Sequence, residues 1–127
     1  WELLAFHETQ SRNYPAAAAA QARVNELKGD TATVEDLLKH ADLLTAAADG
    51  YVSPQPEMIA REVLRLEPNN VAGRYYLGAM YDQTDRPDLA FRLWRGILES
   101  GAAETFHLAL ARRFVEDAAV RAGTNYT

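Results

Sequence analysis

The chain has 127 residues, a net charge of −5 and no cysteine. This length suffices for one domain with a buried core. The acidic balance argues against nucleic acid or an anionic membrane as the partner, because both need a cationic surface. The missing cysteines exclude disulfides, thiolate zinc sites and thiol catalysis. Apolar residues make up 48% of the chain and are rich in Ala and Leu, which favours helices.

The first predicted element is a helical hairpin over residues 1–31. Trp1, Leu4 and Ala5 have the spacing that opens a repeat of about 34 residues built from two antiparallel helices. The alanine run at 16–20 predicts a tightly packed second helix rather than a low-complexity segment. Gln21 departs from the pattern, because the repeat has an aromatic residue at this position.

The middle element, residues 32–69, is predicted to be a stretched repeat. Its first helix is expected over about residues 33–49, followed by a Gly-Tyr-Val-Ser-Pro loop at 50–54. Its second helix ends with Val63, Leu64 and Leu66, and a Glu-Pro-Asn-Asn turn at 67–70 closes the unit. Matching positions of the first and third repeats, such as Leu4 and Leu77, lie 73 residues apart, which leaves room for one unit about five residues longer than the standard repeat.

The third element, residues 70–101, carries the clearest repeat pattern. Its apolar, small and aromatic positions follow in the expected order: Leu77, Gly78, Tyr81, Ala90, Trp94, Ile97 and Leu98. Gly78 and Ala90 are small where two antiparallel helices cross, and Trp94 fills a wider gap. In the turn between the helices, Asp85 is expected to cap the second helix and Pro87 to occupy its first turn.

The last element is a helix expected over about residues 102–122, which would close the open end of the stack. Its polar side carries Arg112, Arg113, Glu116 and Asp117, and the residues expected to be buried are Leu108, Leu110, Phe114, Val115 and Ala118. A half-polar terminal helix is what a helical stack needs at its end. The sequence therefore predicts an all-α tetratricopeptide-repeat fold, a right-handed superhelix of three helical hairpins plus a C-terminal capping helix.

No catalytic, metal or cofactor site is predicted. His7, His40 and His107 lie far apart, and none has a ligand partner four residues away. The acidic residues of the turn at 82–88 lack the glycine and distal glutamate of a calcium loop. No glycine-rich phosphate loop and no nucleophile elbow is present. The residues favour a binding protein over an enzyme.

The predicted peptide-binding groove is lined by the first helix of each hairpin. Register assigns to it Glu2, Phe6, Thr9 and Gln10 in the first repeat, Leu38, Asp42, Thr45 and Ala46 in the second, and Tyr75, Ala79, Asp82 and Gln83 in the third. This mixture suits an amphipathic helix laid apolar face down with basic side chains at the rim. The pair Tyr75-Tyr76 is expected to be exposed and to anchor the client. The alternative is that some of these residues pack against one another.

Four segments resemble the cytochrome c-type biogenesis assembly factor family CcmI, also called CycH, in its alphaproteobacterial form. They are the loop at 46–54 with Gly-Tyr-Val-Ser-Pro, Tyr-Tyr-Leu-Gly at 75–78, the stretch at 83–94 with Arg-Pro-Asp-Leu-Ala-Phe-Arg-Leu-Trp, and the tail at 119–126. The resemblance extends over nearly the whole chain and includes the stretched middle repeat. It departs at 100–114, where the family has a Pro-rich, Trp-containing segment.

The resemblance implies a periplasmic domain of a membrane-anchored bacterial protein, with the anchor outside this sequence. Its implied function is to capture apocytochrome c, largely through the C-terminal helix of that client, and to deliver it to subunits of the haem-ligation complex. Direct contact with haem is not expected. Because the sequence begins at Trp1, we expect it to be part of a longer protein. Two other hypotheses are a scaffold that holds stable subunits through its convex face or final helix, and a regulatory domain of an enzyme.

Overall fold

Side chains that cap the backbone set most helix starts. The computed structural model describes residues 13–123, and helices are the only regular structure in that range. They are α1 (Tyr14–Lys28), a 3-10 turn (Gly29–Thr31), α2 (Val34–Ala47), α3 (Pro54–Leu66), α4 (Val71–Gln83), α5 (Pro87–Glu99) and α6 (Phe106–Arg121). The all-helical prediction is confirmed for these residues. The predicted first helix of the first repeat lies outside them.

Four short polar residues accept a hydrogen bond from the backbone N–H three positions later. They are Asn13, Thr33, Asn70 and Thr105, at the starts of α1, α2, α4 and α6. At Thr33 the arrangement is reciprocal, because the Asp36 carboxylate accepts from the Thr33 N–H at 2.9 Å. The cap at Thr105 means that the last helix begins at Phe106, four residues later than predicted.

Two aspartates with positive φ end helices rather than start them. Asp49 (φ 55°) and Gly50 (φ 93°) follow the end of α2, so this helix stops two residues before the predicted end at 49. Asp85 (φ 64°) follows α4, and the next N–H, that of Arg86, donates to the Tyr81 carbonyl at 2.8 Å. The prediction that Asp85 caps α5 is therefore wrong. Arg86 holds the cap position, and Pro87 occupies the first turn as predicted.

The chain divides into two compact units between Ile59 and Ala60, inside α3. In the first unit, α1 packs against α2. Ala17 and Ala18 of α1 are buried against Leu43, with Tyr14 and Leu44 packed around them. Because alanine has no side chain beyond Cβ, the two helices approach closely. The prediction of a tightly packed alanine helix is confirmed.

In the first unit, Gln21 occupies the position where the repeat has an aromatic residue, and a chain of hydrogen bonds begins at its side chain. Gln21 is only 2% exposed, and its Nε2 donates to Asn25 Oδ1 at 2.9 Å. Asn25 Nδ2 in turn donates to the Asp36 carbonyl at 3.2 Å. At the same end of the hairpin, Lys28 Nζ lies 3.2 Å from both carboxylate oxygens of Asp36. Because Gln21 is buried and Asn25 is half-buried, the hydrogen bonds between them and to the Asp36 carbonyl favour one alignment of α1 on α2.

In the second unit, α4 and α5 form an antiparallel hairpin and α6 packs against both. Tyr75, near the start of α4, contacts His107 at the start of α6, and Asp82 near the end of α4 pairs with Arg121 at the end of α6. The two helices therefore run in the same direction. Gly73 brings α4 close to α3, since a Cβ there would lie 2.9 Å from the Leu64 side chain.

Trp94 is the centre of this unit. It is 1% exposed, and its indole Nε1 donates to the Tyr75 carbonyl at 3.2 Å. Gly78 lies directly beneath the ring, because a Cβ at this position would overlap the indole nitrogen and lie 2.8 Å from Cδ1. The predicted close crossing at Gly78 is thus a contact between helix backbone and indole face.

We expect Gly78→Ala to lower the free energy of unfolding by about 1–3 kcal/mol, because the rigid indole cannot move aside without losing its hydrogen bond. Chemical denaturation followed by circular dichroism measures the change. Gly96→Ala is the matched control. Gly96 lies within α5, and a Cβ at this position would have open space around it to 4 Å. Because alanine has the higher helix propensity, we expect Gly96→Ala to raise the free energy of unfolding by up to about 1 kcal/mol. Equal effects at both sites would contradict the close crossing.

We expect the stability of the first unit to depend on pH through His40 on α2. Its side chain is buried, and desolvation lowers its pKa below the ordinary value of 6.5. At a pH between the folded and the unfolded pKa of His40, the unfolded chain binds a proton that the folded chain does not. The free energy of unfolding is therefore highest above pH 6.5 and falls as the pH drops toward the folded pKa. Urea titrations between about pH 7.5 and 5.5 should show a flatter dependence for His40→Leu than for the parent chain. Parallel curves would exclude this role.

Candidate functional site

The predicted groove residues fall on three separate parts of the chain. Glu2, Phe6, Thr9 and Gln10 lie outside the described residues. Leu38, Asp42 and Thr45 lie on α2 in the first unit, each half-buried. Their spacing of four and then three residues places them on one face of the helix, next to half-buried Ala46. This face carries an apolar side chain beside a carboxylate, whereas the Thr45 hydroxyl oxygen is buried.

The predicted residues on α4 differ widely in accessibility. Tyr75 is 7% exposed and Ala79 is 8% exposed, whereas Asp82 is half-buried and Gln83 is exposed. Tyr76 is buried as well, at 2%. The expectation that Tyr75 and Tyr76 form an exposed aromatic pair is therefore wrong.

The reason is that α6 covers both tyrosine rings. The Tyr75 ring stacks on the Trp94 indole with centroids 6.1 Å apart and planes 19° from parallel. His107 of α6 lies 6.0 Å from the same tyrosine ring. The Tyr76 ring meets this imidazole edge to face at 5.4 Å. Aromatic pairs in this range stabilise the packed state beyond simple area burial, so both tyrosines belong to the core of the second unit.

The charge of Asp82 is matched inside the protein. Its Oδ1 lies 2.5 Å from Arg121 Nη2, and Arg121 Nε donates to Asp117 at 2.8 Å. The close pairing with Asp82 is the main reason that the pKa of Arg121 is raised. Burial, reinforced by the Asp82 charge, raises the pKa of Tyr75 to about 12, so this phenol stays neutral at physiological pH. Asp82 therefore ties the ends of α4 and α6 together.

The sequence did not predict the exposure of two aromatic residues on α6. Phe106 is 67% exposed and had no predicted role, and Phe114 is 36% exposed although it was expected to be buried. Leu110, also expected in the core, is half-buried. The signal was present, because Phe106, Leu110 and Phe114 are spaced four residues apart. This row lies off the buried row of α6, which consists of Leu108, Ala111, Val115, Ala118 and Ala119.

Between Asn13 and Gly123, no group of three His, Asp or Glu side chains is placed to hold a metal ion. In the same range, no helix is both long and apolar enough to span a bilayer. What the arrangement presents to a ligand is the half-buried face of α2, the end of α4 and the outer row of α6.

We expect Tyr75→Ala to destabilise the chain by about 3–5 kcal/mol, because it removes a buried ring that stacks on Trp94. Tyr51→Ala is the matched control, since Tyr51 is 58% exposed and should change stability by about 0.5 kcal/mol or less. Thermal and urea unfolding of the two variants test this. If Tyr75→Ala kept full stability, the ring would not be part of the core and the anchor hypothesis would regain its basis.

Comparison with known proteins provides no relative to carry a function across, because the chain matches no family model, no curated protein and no solved structure.

Proposed function

We propose that this chain is a tetratricopeptide-type repeat domain that binds another polypeptide and performs no chemistry itself. The observation that carries this proposal is the junction of α4, α5 and α6. A glycine lies under a tryptophan where two antiparallel helices cross, and a third helix follows alongside the first in the same direction. Repeating this arrangement builds a superhelix whose first helices present a continuous binding surface.

The client we propose is an unfolded c-type cytochrome, held through its amphipathic C-terminal helix before haem attachment. The choice of this client comes from the sequence resemblance to the CcmI family. The half-buried face of α2 supports this client, because Leu38 offers apolar contact to one side of an amphipathic helix. A receptor that binds the apolar side of a client helix releases the client once folding of the cytochrome buries that side. Subunits of a periplasmic haem-ligation complex would then receive the client.

A binding titration tests the proposal directly. The chain is titrated with apocytochrome c, with its isolated C-terminal helix as a peptide, and with folded holocytochrome c as the control. We expect both apo ligands to bind and the holo form not to bind. Binding of neither apo ligand would reject this client and leave a scaffold for stable subunits as the function to pursue.

Variants on the first unit locate the contact. We expect Leu38→Asp to weaken binding of the peptide about tenfold, because it places a charge in the apolar centre of the α2 face. Leu27→Asp is the matched control, since Leu27 is 63% exposed on α1 and outside the predicted groove. Equal loss in the two variants would show that net charge, rather than the α2 face, governs binding.

A further inference from the structure

The outer side of α6 carries a row of apolar residues with Arg113 beside it, and the same side continues to Asp117 and Arg121, which pair with each other. We call this surface the α6 outer face and define it by Phe106, Leu110, Arg113 and Phe114. The three apolar residues lie four positions apart, and Arg113 is seven positions after Phe106 and three after Leu110. All four therefore project from one side of the helix.

The fold of the second unit leaves most of this side uncovered. The residues that α6 buries are Leu108, Ala111, Val115, Ala118 and Ala119, on the opposite side. Phe114 lies at the border, with its ring 6.2 Å from the Trp94 ring and 36% of its surface exposed. Phe106 is the extreme case, at 67% exposed. An exposed phenylalanine in a row with Leu110 and Phe114 is typical of an interaction surface rather than of isolated surface residues.

The charges on α6 show what kind of partner fits. Of the three arginines in this helix, Arg112 forms two hydrogen bonds of 2.9 Å with the Glu104 carboxylate. Arg121 is matched by Asp82 and Asp117. Arg113 differs, because its guanidinium lies over the Phe114 ring at 5.4 Å. Within residues 13–123, no carboxylate forms an ion pair with it.

We propose that the α6 outer face docks an amphipathic helix of a partner protein, and that this helix carries a carboxylate beside its apolar stripe. An i, i+4, i+8 row is the ridge that packs into the groove of a second helix. Docking would remove water from around Arg113, and a carboxylate then supplies the charge-assisted hydrogen bonds that a guanidinium prefers. Local complementarity thus selects an acidic helix, although the whole chain carries −5.

This surface is distinct from the proposed client site. The client residues lie on the first helices of the repeats, with Leu38 on α2 as the test position, whereas the α6 outer face belongs to the last helix. The two proposals can fail independently, because each is tested with its own ligand and its own variants.

The test uses the full 127-residue chain and two fluorescent peptides of about 18 residues, roughly five helical turns. Both carry leucines at i, i+4 and i+8, and one residue beside this stripe is Glu in the first peptide and Lys in the second. In anisotropy titrations we expect the Glu peptide to bind about tenfold more tightly than the Lys peptide. Arg113→Glu should reverse this preference, and Phe106→Ser should weaken both peptides.

Arg92→Glu is the matched control, because Arg92 is exposed on α5 and its substitution changes the net charge by the same amount. It should leave the preference for the Glu peptide unchanged. Equal affinity for the two peptides, no binding of either, or a preference that Arg113→Glu does not alter would each overturn the proposal. Self-association of the chain that Phe106→Ser abolishes would also overturn it, since the occupant would then be a second copy. Circular dichroism confirms that each variant is folded.

Discussion

The contact between the Trp94 indole and the backbone of α4 governs the second unit. The ring can lie there only because Gly78 has no side chain, and its N–H is satisfied by the Tyr75 carbonyl. This hydrogen bond fixes the ring against one turn of α4. Tyr75 then stacks on the indole, and α6 covers the tyrosine through His107. One close approach between two helices therefore determines where the third helix lies.

The same contact decides which residues remain available for binding. Tyr75 and Ala79 occupy positions on a first helix that the repeat pattern assigns to the ligand, yet both are buried. Asp82 is held by Arg121. In this unit the accessible apolar surface lies on α6 rather than on α4, where the sequence predicted it. Phe106 of α6 is exposed and Phe114 is partly exposed. Binding by this unit would consequently use a different helix from the one that the repeat register indicates.

The first unit achieves its packing by another route. Alanines bring α1 and α2 close together, with Tyr14 and Leu44 packed against the contact. Gln21 stands in place of an aromatic residue and is buried because Asn25 and the Asp36 carbonyl extend its hydrogen bonds across the hairpin. Hydrogen bonds are more directional than apolar contacts, so this chain of hydrogen bonds fixes the alignment of the two helices where a ring would fix their separation.

The sequence by itself determined the helices, most of their ends and the close crossing at Gly78, because these depend on neighbouring residues. Caps such as Thr33 and Asn70 act within three positions, and the Gly-Trp spacing reports an antiparallel pair. The sequence did not determine whether Asp85 would cap α5 or end α4, since aspartate suits both positions. Nor did it determine the exposure of Tyr75 and Phe114. Spacing along a helix shows which residues share a side, but only the packing of α6 on α4 and α5 decided which side is covered.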